Sequence, residues 1–313
     1  MIVDLPDTTT SKVAKKLVNL REAEGVVALS RVLTLVVVTR AGFEEEAIEA
    51  ANLASREHPC RIIVAVEGDP GAPTVLNAQL RVGGDAGASE VVVLYGEGEI
   101  ATADESLVAG LLLPDAPIVA WWPHGVPAKA SGTDIGRIAH RRITDSGSEA
   151  DPRQALFTIS EGYVAGDTDL AWTRLTLWRA QLAAVLDQLD PAELTSITVK
   201  GAADSPSTVL LAAWLTLALG IPVTIASAPE ATGLRSVRFT RLDGDVVLTR
   251  PHDHVAELYQ PGQQVQRISL PRRPLSECLA EELRRLDPDE VFGEVVREGL
   301  FKTNLRSVTA SDR

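Results

Sequence analysis

The chain has 313 residues, 45% of them hydrophobic and 23% charged, and a formal net charge of −13. That length predicts two domains, and the composition is that of an ordinary globular protein, neither disordered nor fibrous. The acidic field repels phosphate backbones and anionic lipid head groups, which argues against nucleic-acid and membrane-surface partners.

Thr8 to Ser11 supply helix caps, and Val13, Leu17 and Leu20 recur behind them at helical spacing, so 8–24 is predicted helical. RVLTLVVVTR (31–40) is a β-branched run with the pattern of a strand buried on both faces. EEEAIEAANLASREH (44–58) follows as a helix with acids in its first turn, where the helix dipole favours them. RIIVAVEG (61–68) is the next strand, and this β-α-β order implies a parallel pair with a right-handed connection. LNAQLRV (76–82) alternates and is predicted as an edge strand. SEVVVLYG (89–96) and APIVAWW (116–122) return to the buried style, with ESLVAGLLL (105–113) helical between them. DIGRIAHRRITDS (134–146) reads as a helix passing into a short strand at 142–145.

A polar stretch at 145–154 and a glycine-containing loop at 160–169 set the predicted domains at 1–165 and 166–313. AWTRLTLWRAQLAAVLDQLD (171–190) is a helix whose stripe is Leu175, Trp178, Leu182, Val185, Leu186 and Leu189, stopped by Pro191. SITVKG (196–201), the helix 205–220 closed by Gly220, and PVTIAS (222–227) form a second β-α-β unit. RSVRFTRLDGDVVLTR (235–250) is a hairpin turning at Asp243-Gly244. ELYQPGQQVQRISL adds two short strands, and 274–300 is helical. The predicted fold is α/β: two domains, each a mostly parallel or mixed sheet covered by helices, the second with added antiparallel hairpins.

Several residue groups carry possible chemistry. YGEGEIA (95–101) matches G-x-G-x-x-A after a strand, and a nicotinamide-dependent oxidoreductase would rest on Gly96 and Gly98. Glu97 and Glu99 would set two carboxylates where that motif brings pyrophosphate, so a plain turn is the better reading. In GAADSPSTVLL (201–211), Ser205, Ser207 and Thr208 cluster at a helix start around Pro206. Hydroxyls and backbone N–H groups there suit a phosphate, which would make a phosphosugar-binding protein or enzyme; ordinary capping uses the same residues. His252 and His254 flank Asp253 and can begin a metal site, but no third ligand is evident, and a solvated loop is the simpler reading. His124 and His140 stand singly, and Arg137, His140, Arg141 and Arg142 are the densest basic cluster, either a solvated face or an anion-binding one.

G-x-S-x-G, the P-loop lysine motif and H-E-x-x-H are absent. Only Cys60 and Cys278 are present, which excludes a disulfide scaffold and argues against a cysteine zinc site. MIVDLPDTTTSK has acids and a proline where a signal peptide needs a basic end and an apolar core. The longest apolar run is broken by Pro114, Asp115 and Pro117, so a cytoplasmic protein without catalytic residues, metal or cofactor is expected.

Trp121 and Trp122 are neighbours at a strand end, so they point to opposite faces of the sheet. PIVAWWP, followed some way on by LAWTRLTLWR, resembles the OpcA family of glucose-6-phosphate dehydrogenase assembly proteins. TTTSKVAKKLVNLRE, RVLTLVVVT, HPCRIIVAV, LLLPDAPIVAWWP, RRITDS and LLAAWLTLALGIPV agree, in the same order along nearly the whole chain. The resemblance implies a non-enzymatic assembly factor or allosteric activator of that dehydrogenase, bearing on the pentose phosphate pathway and NADPH supply. In cyanobacterial members this role is tied to thioredoxin, for which Cys60 and Cys278 offer little. Trp121, Trp122, Trp172, Arg174 and Arg179 are the candidate partner or domain interface, because Trp and Arg are enriched among interface anchors; core packing is the other role open to the tryptophans. Trp172 lies off the helical stripe and is expected near the Trp121–Trp122 edge, forming a seam between domains.

Overall fold

The computed structural model describes residues 1–24, 32–82, 90–202 and 204–303. Arg31 and Ser89, which open two predicted strands, lie outside the described residues, as does Ala203. The chain forms two compact units. One comprises Met1–Asp145, Val164–Thr168 and Pro274–Pro288, the other Ser146–Tyr163, Asp169–Arg273 and Asp289–Arg313.

The first unit begins with β1 (Ile2–Leu5), α1 (Thr10–Glu24), β2 (Leu33–Arg40), α2 (Glu44–Ala54), β3 (Cys60–Glu67), β4 (Val75–Arg81) and β5 (Glu90–Glu97). It continues through α3 (Glu105–Val108), β6 (Ile118–Trp122), α4 (Asp134–Ile138) and β7 (Arg141–Thr144). With β8 (Asp167–Asp169) the strand order is β1-β4-β5-β3-β2-β6-β7-β8. β2 pairs in parallel with β3 and β6, as do β3 with β5 and β6 with β7. LNAQLRV is not the edge: β4 lies antiparallel between β5 and β1, and the edge falls to β1, four residues too short to announce themselves.

Seven successive residues are buried in each of β2 and β3 because both faces of the sheet are covered. Val36, Ile63, Val92 and Trp122 form one core with Val13 and Leu17 of α1, Leu107 of α3, and Ile135 of α4. Trp121 is fully buried outside that cluster, as alternation along β6 requires, and Val37 is its register partner.

In the second unit, α5 (Pro152–Gly162) replaces an expected loop: Asp151 accepts from the Gln154 N–H at 3.0 Å, and Pro152 occupies the first turn. The helix predicted over 171–190 is two helices, α6 (Leu170–Thr173) and α7 (Thr176–Leu186). The Leu175 N–H donates to Trp172 O at 2.9 Å, a three-residue step that interrupts the four-residue ladder. Leu175, Trp178, Leu182 and Val185 are buried as predicted, and Leu186 and Leu189 half-buried.

β9 (Leu194–Gly201), α8 (Pro206–Leu219) and β10 (Val223–Ser227) form a β-α-β unit with a parallel pair, and Gly220 closes α8 at φ +64°. The hairpin β11 (Leu234–Arg241) and β12 (Val246–Thr249) follows, then β13 (Val255–Tyr259) and β14 (Gln266–Ser269). The order is β10-β9-β11-β12-β13-β14, so both sheets mix parallel and antiparallel pairs and the second carries the predicted hairpins.

The last helical stretch divides between the units: α9 (Leu275–Arg284) belongs to the first, and α10 (Glu290–Glu294), a π turn over Val295–Gly299 and α11 (Leu300–Lys302) to the second. α9 packs beside α2. Cys60 opens β3 and Cys278 lies in α9, both fully buried. Among the described residues no helix is long and apolar enough to cross a membrane.

Candidate functional site

The second unit holds a half-open cavity of about 570 Å³ beside the N-terminus of α8. β9 ends at Gly201, where a Cβ would collide with Thr208 Oγ1. Ser205 then caps α8, its hydroxyl accepting from the Thr208 N–H at 3.3 Å, and Pro206 takes the first turn, where a missing N–H costs nothing. Ser207 donates its hydroxyl to Ala171 O at 2.8 Å, tying the start of α8 to α6. Ser205 and Ser207 line the cavity. Thr208 does not; its buried hydroxyl faces Gly201 and has no hydrogen-bond partner among the described residues.

Four arginines from separate parts of the chain complete the wall: Arg174 at the α6–α7 break, Arg250 after β12, and Arg272 and Arg273 beyond β14. Among the described residues Asp204 is the one carboxylate in that lining. Arg250 is 7% exposed and lies 5.3 Å from the centroid of the Trp178 ring. Its guanidinium donates only long bonds, 3.3 Å to Leu234 O and 3.5 Å to Leu270 O, and no described carboxylate stands at ion-pair distance. Burial pulls its pKa down to about 10, with Arg272 and Arg235 adding repulsion and Asp253 opposing. Arg272 donates to Asp253 at 2.6 Å and to Thr232 O at 3.1 Å, and the first of these holds the Asp253 carboxyl below its ordinary range. Arg273 donates to Thr173 O at 3.0 Å. Gly233, at φ +137°, leaves room for Arg272 beside Ser205.

Of the five candidate interface residues, the three tryptophans are buried: Trp121 at 0%, Trp122 at 5% and Trp172 at 1% exposure, as core packing requires. Trp172 donates its indole N–H to Asp289 at 2.8 Å, and its ring lies 5.8 Å from that of Phe292. Arg179 covers the Trp172 ring, and Arg174 faces the cavity. In LAWTRLTLWR, Arg174 stood out as an interface candidate and Trp178 as part of the apolar stripe. Nothing local connected them to Arg250 or to the Arg272-Arg273 pair, although adjacent arginines in so acidic a chain were a signal.

Residues 51–161 match the profile described as the glucose-6-phosphate dehydrogenase subunit N-terminal domain, and 165–296 that of its C-terminal domain. The chain belongs to the OpcA family. No curated protein matches it. Among solved structures, an oxidoreductase from Sinorhizobium meliloti aligns at 9% identity over 88% of this chain and 97% of its own, with a TM-score of 0.49. An inositol dehydrogenase homolog from Azotobacter vinelandii, complexed with NADH and myo-inositol, aligns at 12% identity over 89% and 96%, with a TM-score of 0.47. Neither value bears on what this OpcA-family chain binds.

In this OpcA-family chain the strand order reverses at β2, between β3 and β6, the place where open α/β sheets put a ligand crevice. Two aromatic rings stand there, Phe43 and His124, with centroids 4.6 Å apart. Glu44 accepts from the Gly42 N–H at 2.6 Å, and Glu44, Glu45 and Glu46 fill the first turn of α2. A pyrophosphate would meet three carboxylates there. The glycine motif is likewise packed: a Cβ at Gly96 would strike Ile100 O, and one at Gly98 the backbone of Ala72 and Thr74. Glu97 accepts from the Asp69 N–H at 2.6 Å.

The remaining candidates separate. His252, Asp253 and His254 are exposed in a loop before β13, and no metal-ligating cluster occurs among the described residues. Arg141 and Arg142 form neither a solvated nor an anion-binding face. They are buried and paired with Glu282 and Asp167, while Arg137 is exposed and pairs with Asp134. His140 accepts from the Ile118 N–H at 3.1 Å.

Proposed function

We propose that the protein is a non-enzymatic assembly factor or allosteric activator of glucose-6-phosphate dehydrogenase, acting in the cytoplasm and supporting the oxidative pentose phosphate pathway and NADPH supply. The observation that carries this reading is the pair of family matches, over 51–161 and 165–296, to the two domains of a dehydrogenase subunit. The switch-point crevice supports a role without hydride transfer, because the Gly42 N–H is already bonded to Glu44 and the α2 N-terminus is acidic.

Burial of the three tryptophans points a partner toward other surfaces, and of the five candidates Arg174 and Arg179 are the more reachable, each half-buried. The test adds purified protein to purified dehydrogenase and follows initial rate and mass distribution together. A saturable rise in rate, or a shift of the dehydrogenase to a larger species, is expected. If both stay flat over a wide range of ratios, the reading is lost.

A further inference from the structure

We propose that the arginine-walled cavity of the second unit is a binding site for a small phosphate monoester, with the phosphate seated between the Ser205 end of α8 and the guanidinium of Arg174. It stands on the cavity alone and holds whether or not the dehydrogenase is the partner.

Three independent features converge. The first is the fourteen-residue helix α8, whose N-terminal N–H groups and dipole favour an anion, beginning at the wall of this half-open cavity. The second is charge: four arginines line the pocket, and Arg250 among them has no carboxylate at ion-pair distance among the described residues. The third is unmet hydrogen-bonding capacity in the wall. Arg250 is buried without a carboxylate, and Trp178, 2% exposed, has an indole N–H with no acceptor among the described residues.

Burying a cation without a counter-ion disfavours the fold unless something restores the balance. An anion in the cavity does so, and planar guanidiniums match the oxygens of a phosphate with paired N–H donors. The size selects more than the bare ion: about 570 Å³ lies in the range of pockets that enclose a whole small molecule. Leu175, Trp178, Pro206 and Leu234 give the body of the ligand an apolar and aromatic wall, as a ring or carbon chain needs.

The test uses the full chain without any dehydrogenase, so its failure leaves the partner reading untouched. Glucose 6-phosphate, AMP, inorganic phosphate and unphosphorylated glucose are titrated by calorimetry at constant ionic strength, which keeps surface screening equal. At least one organic phosphate is expected to bind one-to-one and more tightly than inorganic phosphate, and glucose to give no heat. Arg174→Gln, at a half-buried position, is expected to weaken binding about tenfold or more, the usual scale for one charge-assisted hydrogen bond. Arg250→Met is expected to weaken it likewise while keeping a cooperative thermal transition. No heat from any phosphate up to about 10 mM, where binding would be weaker than a typical metabolite site, overturns the proposal. So does binding that survives both substitutions unchanged, or glucose binding as well as its phosphate.

Discussion

The guanidinium carbon of Arg179 lies 3.7 Å from the centroid of the Trp172 ring, stacking a charged plane on an aromatic one. Trp172 in turn donates to Asp289 Oδ2, while Asp289 Oδ1 accepts from the Phe292 N–H at 2.9 Å and starts α10. The three residues therefore pin α6 to α10, and α6 leads directly into Arg174 at the cavity.

Trp172→Phe removes the indole donor and leaves a carboxylate oxygen short of a partner. The expected cost is about 1–3 kcal/mol, read as a lower urea midpoint with an unchanged slope. Arg179→Ala should cost about 0.5–2 kcal/mol through the lost stacking. An unmoved midpoint for both would mean that this stack contributes nothing to the second unit.

Arg250 should behave in the opposite sense. Its folded pKa of about 10 lies below the ordinary arginine value, so the protonated form is disfavoured in the fold. Below about pH 10 the group is charged in both states and the penalty is fully present; it lifts only as pH climbs through that value. Arg250→Met is thus expected to leave thermal stability at neutral pH unchanged or raised. A large fall in melting temperature would show that the two long carbonyl bonds outweigh the desolvation.

The buried pair of Arg142 and Asp167 predicts the reverse. Both side chains are 8% exposed, and the arginine also donates to Ala139 O and Ala165 O at 2.8 Å. Asp167→Asn leaves a buried cation uncompensated and is expected to cost about 3–5 kcal/mol by chemical denaturation. Replacing both partners by apolar residues should cost less than that single change.

Gly98 sits at φ +66° with no room for a Cβ beside Thr74 and Ala72. Gly98→Ala is expected to cost about 1–3 kcal/mol for strain in a left-handed conformation, before the collision is counted. NADH, which carries no phosphate monoester, titrated into the unmodified chain should leave its melting temperature unmoved, because the glycines serve packing. A saturable upward shift would restore the dinucleotide reading.

Most of the scaffold was legible because buried strands carry long β-branched runs and their helices carry caps. The alternation of Trp121 and Trp122 followed from backbone geometry alone, and the Asp243-Gly244 turn from its residue types. β1 was missed because four residues, alternately exposed and half-buried, are too few to establish a period, and α5 because it starts inside a polar stretch, at DPRQ. The continuous stripe from Leu175 onward hid the break at Arg174, since a three-residue step shifts the face only slightly. Half of the site was legible: Ser205 and Pro206 announce a helix start wherever they fall. Its arginines were not, because Arg174, Arg250 and Arg272 meet only after a hairpin and a meander fold back. The basic cluster that did stand out, Arg141-Arg142, is consumed by carboxylates that only the fold reveals.

Both thiols of the chain, Cys60 at the head of β3 and Cys278 in α9, belong to the first unit and are sealed from solvent. A maleimide or disulfide reagent therefore reaches them only when that unit opens. Its rate of reaction is a built-in clock for the opening of that unit alone, read without any substitution in the chain.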